Sequence, residues 1–258
     1  MSYQPVRNNS KVLVTGASSG IGADTVRLLC EQGWDVVACA RREDRLQALA
    51  EETGCHYYAC DLRDRVAVEK MAKTINADTP VTSVVINAGG AIGLEHVAHG
   101  DIDNWRAMYE RNVITALNTA QVFLPEIRNG GGDLVFITST AANETYPGGA
   151  GYTAAKHAEA MIVRTLRMEL AGEDVRLIEI CPGLVHTEEF SLVRLGSKEA
   201  ADKVYEGVAA PLLGRDIADV VAYCLSRPPH VNLDKIVIRP VEQANANLLT
   251  RTGNAKKA

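Results

Sequence analysis

Short apolar runs alternate with longer amphipathic segments along most of this chain. The runs have the length of buried strands, and the segments between them carry apolar residues at helical spacing. A repeated alternation of this kind is typical of a parallel sheet covered by helices on both faces. We therefore predict an α/β fold with a doubly wound parallel sheet of about seven strands. The predicted strands are 11–15, 34–40, 55–60, 81–86, 134–138, 174–181 and 235–239.

The helical segments between the strands have recognisable ends. Gly33 follows the first segment as a helix C-cap does, and we expect Pro125 to end the long fourth one. Residues 196–214 are polar and are predicted to form a mobile insertion with one short helix, inside a loop of about 184–213 that shapes a substrate pocket. The predicted helices are 23–32, 43–52, 63–77, 102–124, 152 to about 170, and 216–225.

Composition and charge narrow the class of protein. The chain has 258 residues, of which 47% are hydrophobic, and no break in composition marks a linker, so we predict one domain over residues 1–258. A net charge of -5 argues against nucleic acid as the partner. No apolar run approaches the ~20 residues of a membrane span, and residues 1–10 lack the apolar core of a signal peptide. We expect a soluble cytoplasmic protein without a membrane partner.

The cysteines form no C-x-x-C pair, and several of them lie inside apolar runs. This pattern favours buried, reduced thiols over a disulfide framework or a zinc site, and we predict no metal. The cysteines are Cys30, Cys39, Cys55, Cys60, Cys181 and Cys224.

A glycine-rich turn joins the first predicted strand to the first predicted helix. Gly16, Gly20 and Gly22 give the spacing G-x-x-x-G-x-G, and no Gly-Lys-Ser/Thr sequence follows as it would in a P-loop. Glycines at such a turn let the backbone approach a pyrophosphate, whose charge then lies at the helix N-terminus. The turn indicates a dinucleotide site.

The end of the second predicted strand bears on the choice of cofactor. NAD sites of this kind have a carboxylate there for the ribose 2′-hydroxyl, whereas NADP sites have an arginine. This strand ends in Ala40-Arg41-Arg42, so we predict that Arg41 binds a 2′-phosphate and that Arg42 stacks or assists. The alternative is that both arginines simply lie in solvent at a helix start. Asp61, after the third strand, either accepts a hydrogen bond from an adenine amino group or caps the next helix.

Tyr152 and Lys156 carry the predicted chemistry. They are four residues apart at the start of a predicted helix, so their side chains lie on one face, a turn apart. The Lys156 ammonium should lower the pKa of the Tyr152 phenol and make it a proton donor or acceptor, although alone this spacing also occurs in surface pairs. Ser139 ends the fifth strand, where its hydroxyl and that of Tyr152 can both bond a carbonyl oxygen. Asn112 lies inside the long helix; facing inwards it needs partners and can hold a water or a kink.

Together these motifs resemble the short-chain dehydrogenase/reductase family. The resemblance covers about residues 10–240 and implies a Rossmann-type fold with NAD(P)-dependent hydride transfer between alcohols and carbonyls. It implies that Ser139 polarises the substrate oxygen, that Tyr152 passes the proton, and that Lys156 lowers the pKa of Tyr152 and binds the nicotinamide ribose. Asn112 would hold a relay water. Dimers or tetramers, formed through the helices of Asn112 and Tyr152, are also implied. The motifs are Thr15 to Gly22, Asn87-Ala88-Gly89, Asn112, Ser139, Tyr152, Lys156 and Pro182-Gly183.

The resemblance also implies where the cofactor binds. It places the pyrophosphate at the glycine turn, the adenine near Asp61 and Leu62, a ribose near Asn87, and the carboxamide near Val185 and Thr187. With Arg41 and Arg42, the implied cofactor-binding residues are Gly16, Ser18, Ser19, Gly20, Ile21, Asp61, Leu62, Asn87, Ala88, Gly89, Tyr152, Lys156, Pro182, Gly183, Val185 and Thr187.

The C-terminal third is more loosely similar to the NADP-dependent 3-hydroxy acid dehydrogenases that oxidise serine or allo-threonine. On this similarity Arg194 is a candidate clamp for a substrate carboxylate, the alternative being a surface arginine on a mobile loop. Glu144 departs from that subgroup, and an acid beside the substrate would repel a carboxylate.

Three functions stay open at this point. The first is an NADP(H)-dependent oxidoreductase, with NADPH preferred over NADH, acting on a small secondary alcohol or carbonyl, 3-hydroxy acids being one such class. The second is a 3-oxoacyl-carrier-protein reductase, which would need a basic surface for its acidic carrier. The third is a nucleotide-sensing binding protein without turnover, against which the intact Tyr152 and Lys156 argue.

Overall fold

One central parallel sheet organises the computed structural model, which describes residues 10–251. The leader and tail at 1–9 and 252–258 lie outside the described residues. The strands of the described part are β1 (Lys11–Thr15), β2 (Asp35–Ala40), β3 (His56–Ala59), β4 (Val81–Ile86), β5 (Gly132–Ile137), β6 (Val175–Pro182), β7 (Val185–His186), β8 (Leu212–Leu213) and β9 (Lys235–Ile238). Seven of them form the sheet, in the order β3-β2-β1-β4-β5-β6-β9, and β7 pairs separately with β8.

The order of the strands creates a crevice. The chain moves outwards from β1 to β3 on one side of the sheet and from β4 to β9 on the other, so the order reverses between β1 and β4. At such a switch point the loops that follow the two strands diverge, and ligands bind outside the carboxyl ends. The central strands β1 and β5 are buried along their whole length, which explains why each contains a continuous apolar run, residues 12–14 in β1 and 134–137 in β5.

Helices cover both faces of the sheet. Val26 and Val221, from the first and last helices, belong to one apolar core, and Phe123 and Val163 belong to a second core on the other face. The predicted doubly wound, Rossmann-type α/β fold is therefore confirmed. The helices of the described part are α1 (Gly20–Glu31), α2 (Glu43–Thr53), α3 (Arg65–Ile75), α4 (Ile102–Tyr109), α5 (Thr115–Gly130), α6 (Ala150–Glu169), α7 (Phe190–Leu195), α8 (Lys198–Tyr205) and α9 (Gly214–Leu225).

The long helix expected over 102–124 is interrupted in the middle and extended at its end. A π-helical turn, Glu110–Ile114, joins α4 to α5. Pro125 lies inside α5, so the expectation that it ends the helix is wrong. Proline removes one backbone hydrogen bond, but the following turn places Ile127, 1% exposed, in the second core. The burial of that side chain favours continuing the helix.

The polar segment between β6 and α9 is more structured than the sequence indicated. The short helix expected within 196–214 is α8, but α7 was not predicted. The end of α7 is anchored to the loop after β4, because the backbone N–H of Gly93 donates to the carbonyl of Arg194 at 2.9 Å. This segment therefore stands over the carboxyl ends of the strands.

A buried ion pair fastens β5 to β6 at the opposite, amino-terminal edge of the sheet. Nε of Arg176 lies 2.5 Å from the carboxylate of Asp133, and both side chains are at most 4% exposed. Ser83 donates a hydrogen bond to the same carboxylate at 2.7 Å. The Arg176 guanidinium also donates to the carbonyls of Cys224 and Leu225, so it holds the C-terminus of α9 to the sheet.

The cysteines are all free thiols, five of them buried and Cys30 partly exposed, in agreement with the expectation of reduced thiols. Within residues 10–251, no helix combines the length and the apolar character that crossing a membrane requires.

Candidate active site

A cavity of about 630 Å³ opens at the carboxyl ends of the parallel strands. Every residue that the sequence predicted for the cofactor lines this cavity, and so do Ser139, Tyr152 and Lys156. Asn112 does not line it, because its side chain is fully buried behind the loop that follows β4. The cavity joins the end predicted for the nucleotide to the end predicted for catalysis.

The glycine turn fits closely against the loop after β4. Gly16 has a φ of +66°, in the left-handed region, and a Cβ at this position would lie 2.9 Å from the Cα of Ala88. A Cβ on Gly22 would lie 2.4 Å from the carbonyl oxygen of Gly16. The N-cap residue Ser19 makes no side-chain cap to α1, which leaves the first N–H groups of the helix available to an anion in the cavity.

Thr15 fixes the distance between the two loops that flank the switch point. Its hydroxyl accepts hydrogen bonds from the backbone N–H of Asn87 at 2.9 Å and of Ala88 at 3.1 Å, and it donates to the carbonyl of Val85. The Asn87 amide returns a hydrogen bond to the Thr15 carbonyl at 3.0 Å. The predicted pyrophosphate and ribose residues are therefore held as one rigid unit.

Tyr152, Lys156 and Ser139 meet at the other end of the cavity. Tyr152 and Lys156 are 7% and 3% exposed on one face of α6, and Ser139 ends the segment that follows β5. The Lys156 ammonium donates to the carbonyl of Ile137 at 3.2 Å and to the carboxylate of Glu159 at 2.6 Å. The alternative of a surface pair is excluded by this burial, and the structure brings the three predicted side chains together.

The pKa of Tyr152 differs from the prediction. Burial of the phenol raises its pKa above the usual value, and this effect outweighs the lowering caused by Lys156. Tyr146 and Glu159 raise it further, whereas a hydrogen bond with Ser139 lowers it. The expected influence of the ammonium is present, but the expectation of a lowered pKa is wrong because the phenol is buried.

Asn112 occupies the π turn and bonds to the backbone. Its side-chain amide donates to the carbonyls of Met108 at 2.7 Å and Gly90 at 2.9 Å, and its oxygen accepts from the N–H of Gly90 at 3.1 Å. A Cβ on Gly89 would lie 2.6 Å from that oxygen. Asn112 therefore faces inwards at an irregular point of the helix, as expected, and ties α4 and α5 to the loop that lines the cavity.

The end of the cavity at which the sequence predicts the adenosine, termed here the adenosine end, is rich in arginine. Arg41 is exposed and has no hydrogen-bond or ion-pair partner in the described part of the chain. Arg42 instead donates to the hydroxyls of Ser18 and Ser19 and forms a bidentate pair with Glu189 at 2.7 Å. Glu189 precedes α7, so the Arg42 side chain links the end of β2 to the segment over the cavity.

Asp61 does not cap the helix that follows β3. The helix α3 begins at Arg65, and its N-cap is Asp64, whose side chain accepts from the N–H groups of Val66 and Ala67. The Asp61 carboxylate is instead bound by the guanidinium of Arg63 at 2.5 Å. Of the two alternatives that the sequence left open, the capping role is wrong, and Asp61 remains a lining residue of the cavity.

Arg194 lies at the catalytic end of the cavity and is not a surface side chain. Its guanidinium carbon is 5.5 Å from the ring centroid of Tyr146 and 5.6 Å from that of Tyr152. Its Nε donates to the carbonyl of Gly93 at 3.1 Å, whereas its Nη2 is buried and has no hydrogen-bond partner among residues 10–251. A buried guanidinium nitrogen without a partner is energetically costly, so this donor is available to an acceptor that binds near Tyr152.

Glu144 does not oppose this charge. Its carboxylate is paired with Arg239 at 2.5 Å and accepts from the backbone N–H of Ala246 at 2.6 Å, and it does not line the cavity. The repulsion of a substrate carboxylate that its position in the sequence suggested is therefore offset by Arg239. The residue serves to hold the C-terminal segment against the loop after β5.

Comparison with known proteins identifies this architecture. The family model for short chain dehydrogenase matches residues 10–196. An uncharacterized oxidoreductase of Mycobacterium tuberculosis is 51% identical over 237 residues, 91% of this chain and 92% of that protein. The chain belongs to the short-chain dehydrogenase/reductase family. An NADP-dependent 3-hydroxy acid dehydrogenase of Salmonella typhi is 37% identical over 92% of this chain and 97% of its own length. The closed form of a serine dehydrogenase complexed with NADP+ superimposes with a TM-score of 0.86 at 34% identity, covering 93% and 98% of the two chains.

As a short-chain dehydrogenase/reductase, this protein is an oxidoreductase, and its fold confirms the resemblance stated from the sequence. Four side chains with a clear effect on the site were not predicted from the sequence. Arg63 and Arg111 line the adenosine end, Glu159 binds Lys156, and Phe190 packs edge-to-face on Tyr152 at 5.9 Å. The position of Glu159, three residues after Lys156, was the one signal available.

Proposed function

We propose that this oxidoreductase interconverts a small 3-hydroxy acid and the corresponding 3-oxo acid with NADP(H). The observation that carries the proposal is the buried, unpartnered Nη2 of Arg194 beside Tyr152. A substrate carboxylate would satisfy this nitrogen, and planar guanidinium groups bind carboxylates in a bidentate manner. A hydroxyl or carbonyl two carbons away would then lie near the phenol.

The proposed chemistry divides among four residues. The hydroxyl groups of Ser139 and Tyr152 bond the substrate oxygen, and Tyr152 gives that oxygen a proton in reduction and removes it in oxidation. The Lys156 ammonium places a positive charge near the Tyr152 phenol and is positioned to donate a hydrogen bond to a ribose hydroxyl. Asn112 keeps Gly90 and the cavity wall in position. When bound, the nicotinamide supplies or accepts the hydride.

The arginines at the adenosine end support NADP(H) as the cofactor. Arg41 has no hydrogen-bond or ion-pair partner in the described residues, and Arg111 has no ion-pair partner there, so both guanidinium groups are available to a 2′-phosphate. The relatives named above as NADP-dependent and as a complex with NADP+ agree with this choice. The preference for NADPH over NADH is proposed on the same ground.

The test compares hydroxy acids with alcohols of the same shape that lack the carboxylate. With NADP+, the purified enzyme should oxidise one or more 3-hydroxy acids faster than the matched alcohols, followed by absorbance of the reduced cofactor. Acyl thioesters with NADPH test the carrier-protein reductase alternative in the same assay. Turnover on thioesters or uncharged alcohols, with none on hydroxy acids, would overturn the proposed substrate class.

Replacement of Arg194 by glutamine tests the clamp itself. The variant should raise KM for the hydroxy acid roughly 100-fold, because a charged hydrogen-bonded pair is lost, and should leave KM for an uncharged alcohol nearly unchanged. Arg106→Gln is the matched control, since that arginine is exposed on α4 and does not line the cavity. An equal effect of Arg194→Gln on charged and uncharged substrates would show that Arg194 only supports the pocket.

The homo-oligomer, a dimer or tetramer, and the cytoplasmic location expected from the sequence stay predictions, as does the single domain over the whole chain.

A further inference from the structure

The catalytic end of the cavity contains a carboxylate for which the proposed reaction has no use. Glu159 lies three residues after Lys156 on the same face of α6 and is 1% exposed. Its Oε2 accepts a hydrogen bond from the Lys156 ammonium at 2.6 Å, and the only other hydrogen bond of that ammonium within residues 10–251 goes to the carbonyl of Ile137. A helix position this deeply buried normally carries an apolar side chain, so the acid calls for an explanation.

Neighbouring groups act on the pKa of Glu159 in opposite directions. Burial raises the pKa of its carboxyl to about 7, while the charge and hydrogen bond of Lys156 act to lower it. Glu179, fully buried on β6, raises it further. The cations nearest to Glu179 are Lys235 at 3.6 Å and Arg164 at 3.9 Å, and both are partly exposed.

The same carboxylate acts on the two groups that the proposed reaction uses. Burial is the largest single influence on Lys156 and favours its neutral form. The charge and hydrogen bond of Glu159, together with Tyr152 and Cys181, outweigh it, so the pKa of the ammonium lies above its usual value. At Tyr152 the charge of Glu159 opposes formation of the phenolate. Burial is the main cause that keeps the phenol protonated, and Glu159 adds to it. Glu159 therefore favours the protonated form of both groups.

We propose that Glu159 is a positioning residue that holds the Lys156 ammonium and offsets its charge, so that Tyr152 keeps its proton until a substrate carbonyl takes it. The inference rests on the proposed function, in which Tyr152 exchanges the proton. In reduction, a hydride from the bound cofactor reaches the carbonyl carbon, and the phenolic proton reaches the oxygen. That direction needs the neutral phenol, whereas alcohol oxidation needs the phenolate. Glu159 biases the site towards carbonyl reduction at neutral pH.

The test removes the charge of Glu159 and keeps its shape. In Glu159→Gln the amide oxygen and the Ile137 carbonyl still accept from Lys156, which favours the ammonium, but the positive charge is no longer offset. The coupled Tyr152–Lys156 pair should then release its first proton at a pH lower by on the order of one unit. Glu169→Gln, an exposed change on the same helix, is the control and should leave the titration unchanged.

Two readouts separate this inference from the proposed function. The first is the ultraviolet absorbance of tyrosinate as a function of pH, with Tyr152→Phe subtracted; it needs no substrate. The second is the pH profile of alcohol oxidation, whose rise should move to lower pH in Glu159→Gln. Glu159→Asp retains the charge and should restore the parent titration. Absence of turnover in the parent enzyme would count against the proposed function, and the titration would still decide the role of Glu159.

The inference is overturned if Glu159→Gln and Glu169→Gln titrate alike, or if the first ionisation moves to higher pH. If Glu159→Gln does not fold, the comparison of Glu159→Asp with the parent decides: a titration of Tyr152 that differs from the parent by a unit or more would overturn the role of the charge.

Discussion

Arginine side chains surround the adenosine end of the cavity, and they differ in how their charges are compensated. Arg42 and Arg63 each pair with a carboxylate, whereas Arg41 has no such partner within residues 10–251. Arg111 is partly buried, and burial together with the charges of Arg41 and Arg63 lowers its pKa. Two cations that face one cavity without an ion-pair partner in the described residues raise the local affinity for a phosphate group.

Replacing Arg41 with alanine should weaken NADPH binding by roughly 10-fold to 100-fold, because one charged hydrogen-bonded contact to the 2′-phosphate is lost. NADH lacks that phosphate and should bind the variant nearly as well as the parent. Fluorescence titration of both cofactors measures the two affinities. If NADPH and NADH lose affinity to the same extent, Arg41 shapes the pocket and does not bind the phosphate.

At the scale of single residues, the sequence allowed a better prediction of which side chains lie together than of their protonation states. Tyr152, Lys156 and Ser139 come together because strand ends and helical spacing are local properties. The pKa of Tyr152 depends on burial and on Glu159, which only tertiary packing reveals. The position of Arg194 depends likewise on how α7 folds over the cavity.

The π turn between α4 and α5 is the element that brings the long helix into contact with the site. One extra residue in the turn leaves backbone carbonyls without their usual helical donors, and the Asn112 amide supplies a donor to Met108. The same amide bonds both backbone groups of Gly90. A helix irregularity thus becomes a rigid support for the loop after β4.

Replacing Asn112 with alanine should lower the free energy of unfolding by roughly 2–4 kcal/mol, because buried groups of Gly90 and Met108 lose their partners. Urea denaturation measures this change. Gln121→Ala, an exposed substitution on α5, should change the stability by less than about 0.5 kcal/mol. A loss for Asn112→Ala no larger than for Gln121→Ala would mean that the π turn does not depend on this amide.

Element boundaries were predictable where the signal is local and were missed where packing decides. The strands follow from their apolar runs and agree within one or two residues at most ends. The prediction that Pro125 ends the helix was wrong because the burial of Ile127 outweighs one lost backbone hydrogen bond. Helix α7 has only six residues, which are too few to show a periodic apolar pattern in the sequence. Its position depends on contacts with the loop at Gly93.

In the whole molecule, the two edges of the sheet have different tasks. The carboxyl ends of the strands carry the cavity, and the amino ends carry the buried pair of Asp133 and Arg176. Arg176 also holds the C-terminus of α9, so this cluster joins β5, β6 and a helix. The overall topology was predicted from the alternation of elements, but this cluster was not, because its members are more than forty residues apart in sequence.

Replacing Asp133 with alanine should lower the free energy of unfolding by about 3–5 kcal/mol, since it leaves the Arg176 cation buried without its partner. Glu173→Ala removes the partner of the half-exposed Arg128 and should cost less than about 1 kcal/mol. Urea denaturation compares the two variants. NADPH affinity, measured on the folded proteins, should be the same in both, and a large loss in Asp133→Ala would show that the two edges are coupled.

The separation of the two edges bears on how such an enzyme can acquire a new substrate. The buried ion pair lies at the amino edge of the sheet, while the segment from Phe190 to Leu213 covers the other edge and is joined to the loop after β4 by the hydrogen bond between Gly93 and Arg194. Mutations can therefore accumulate in that segment without loss of the folded state. A descendant of this chain can change the substrate it accepts by exchanging one segment while it inherits the nucleotide site intact.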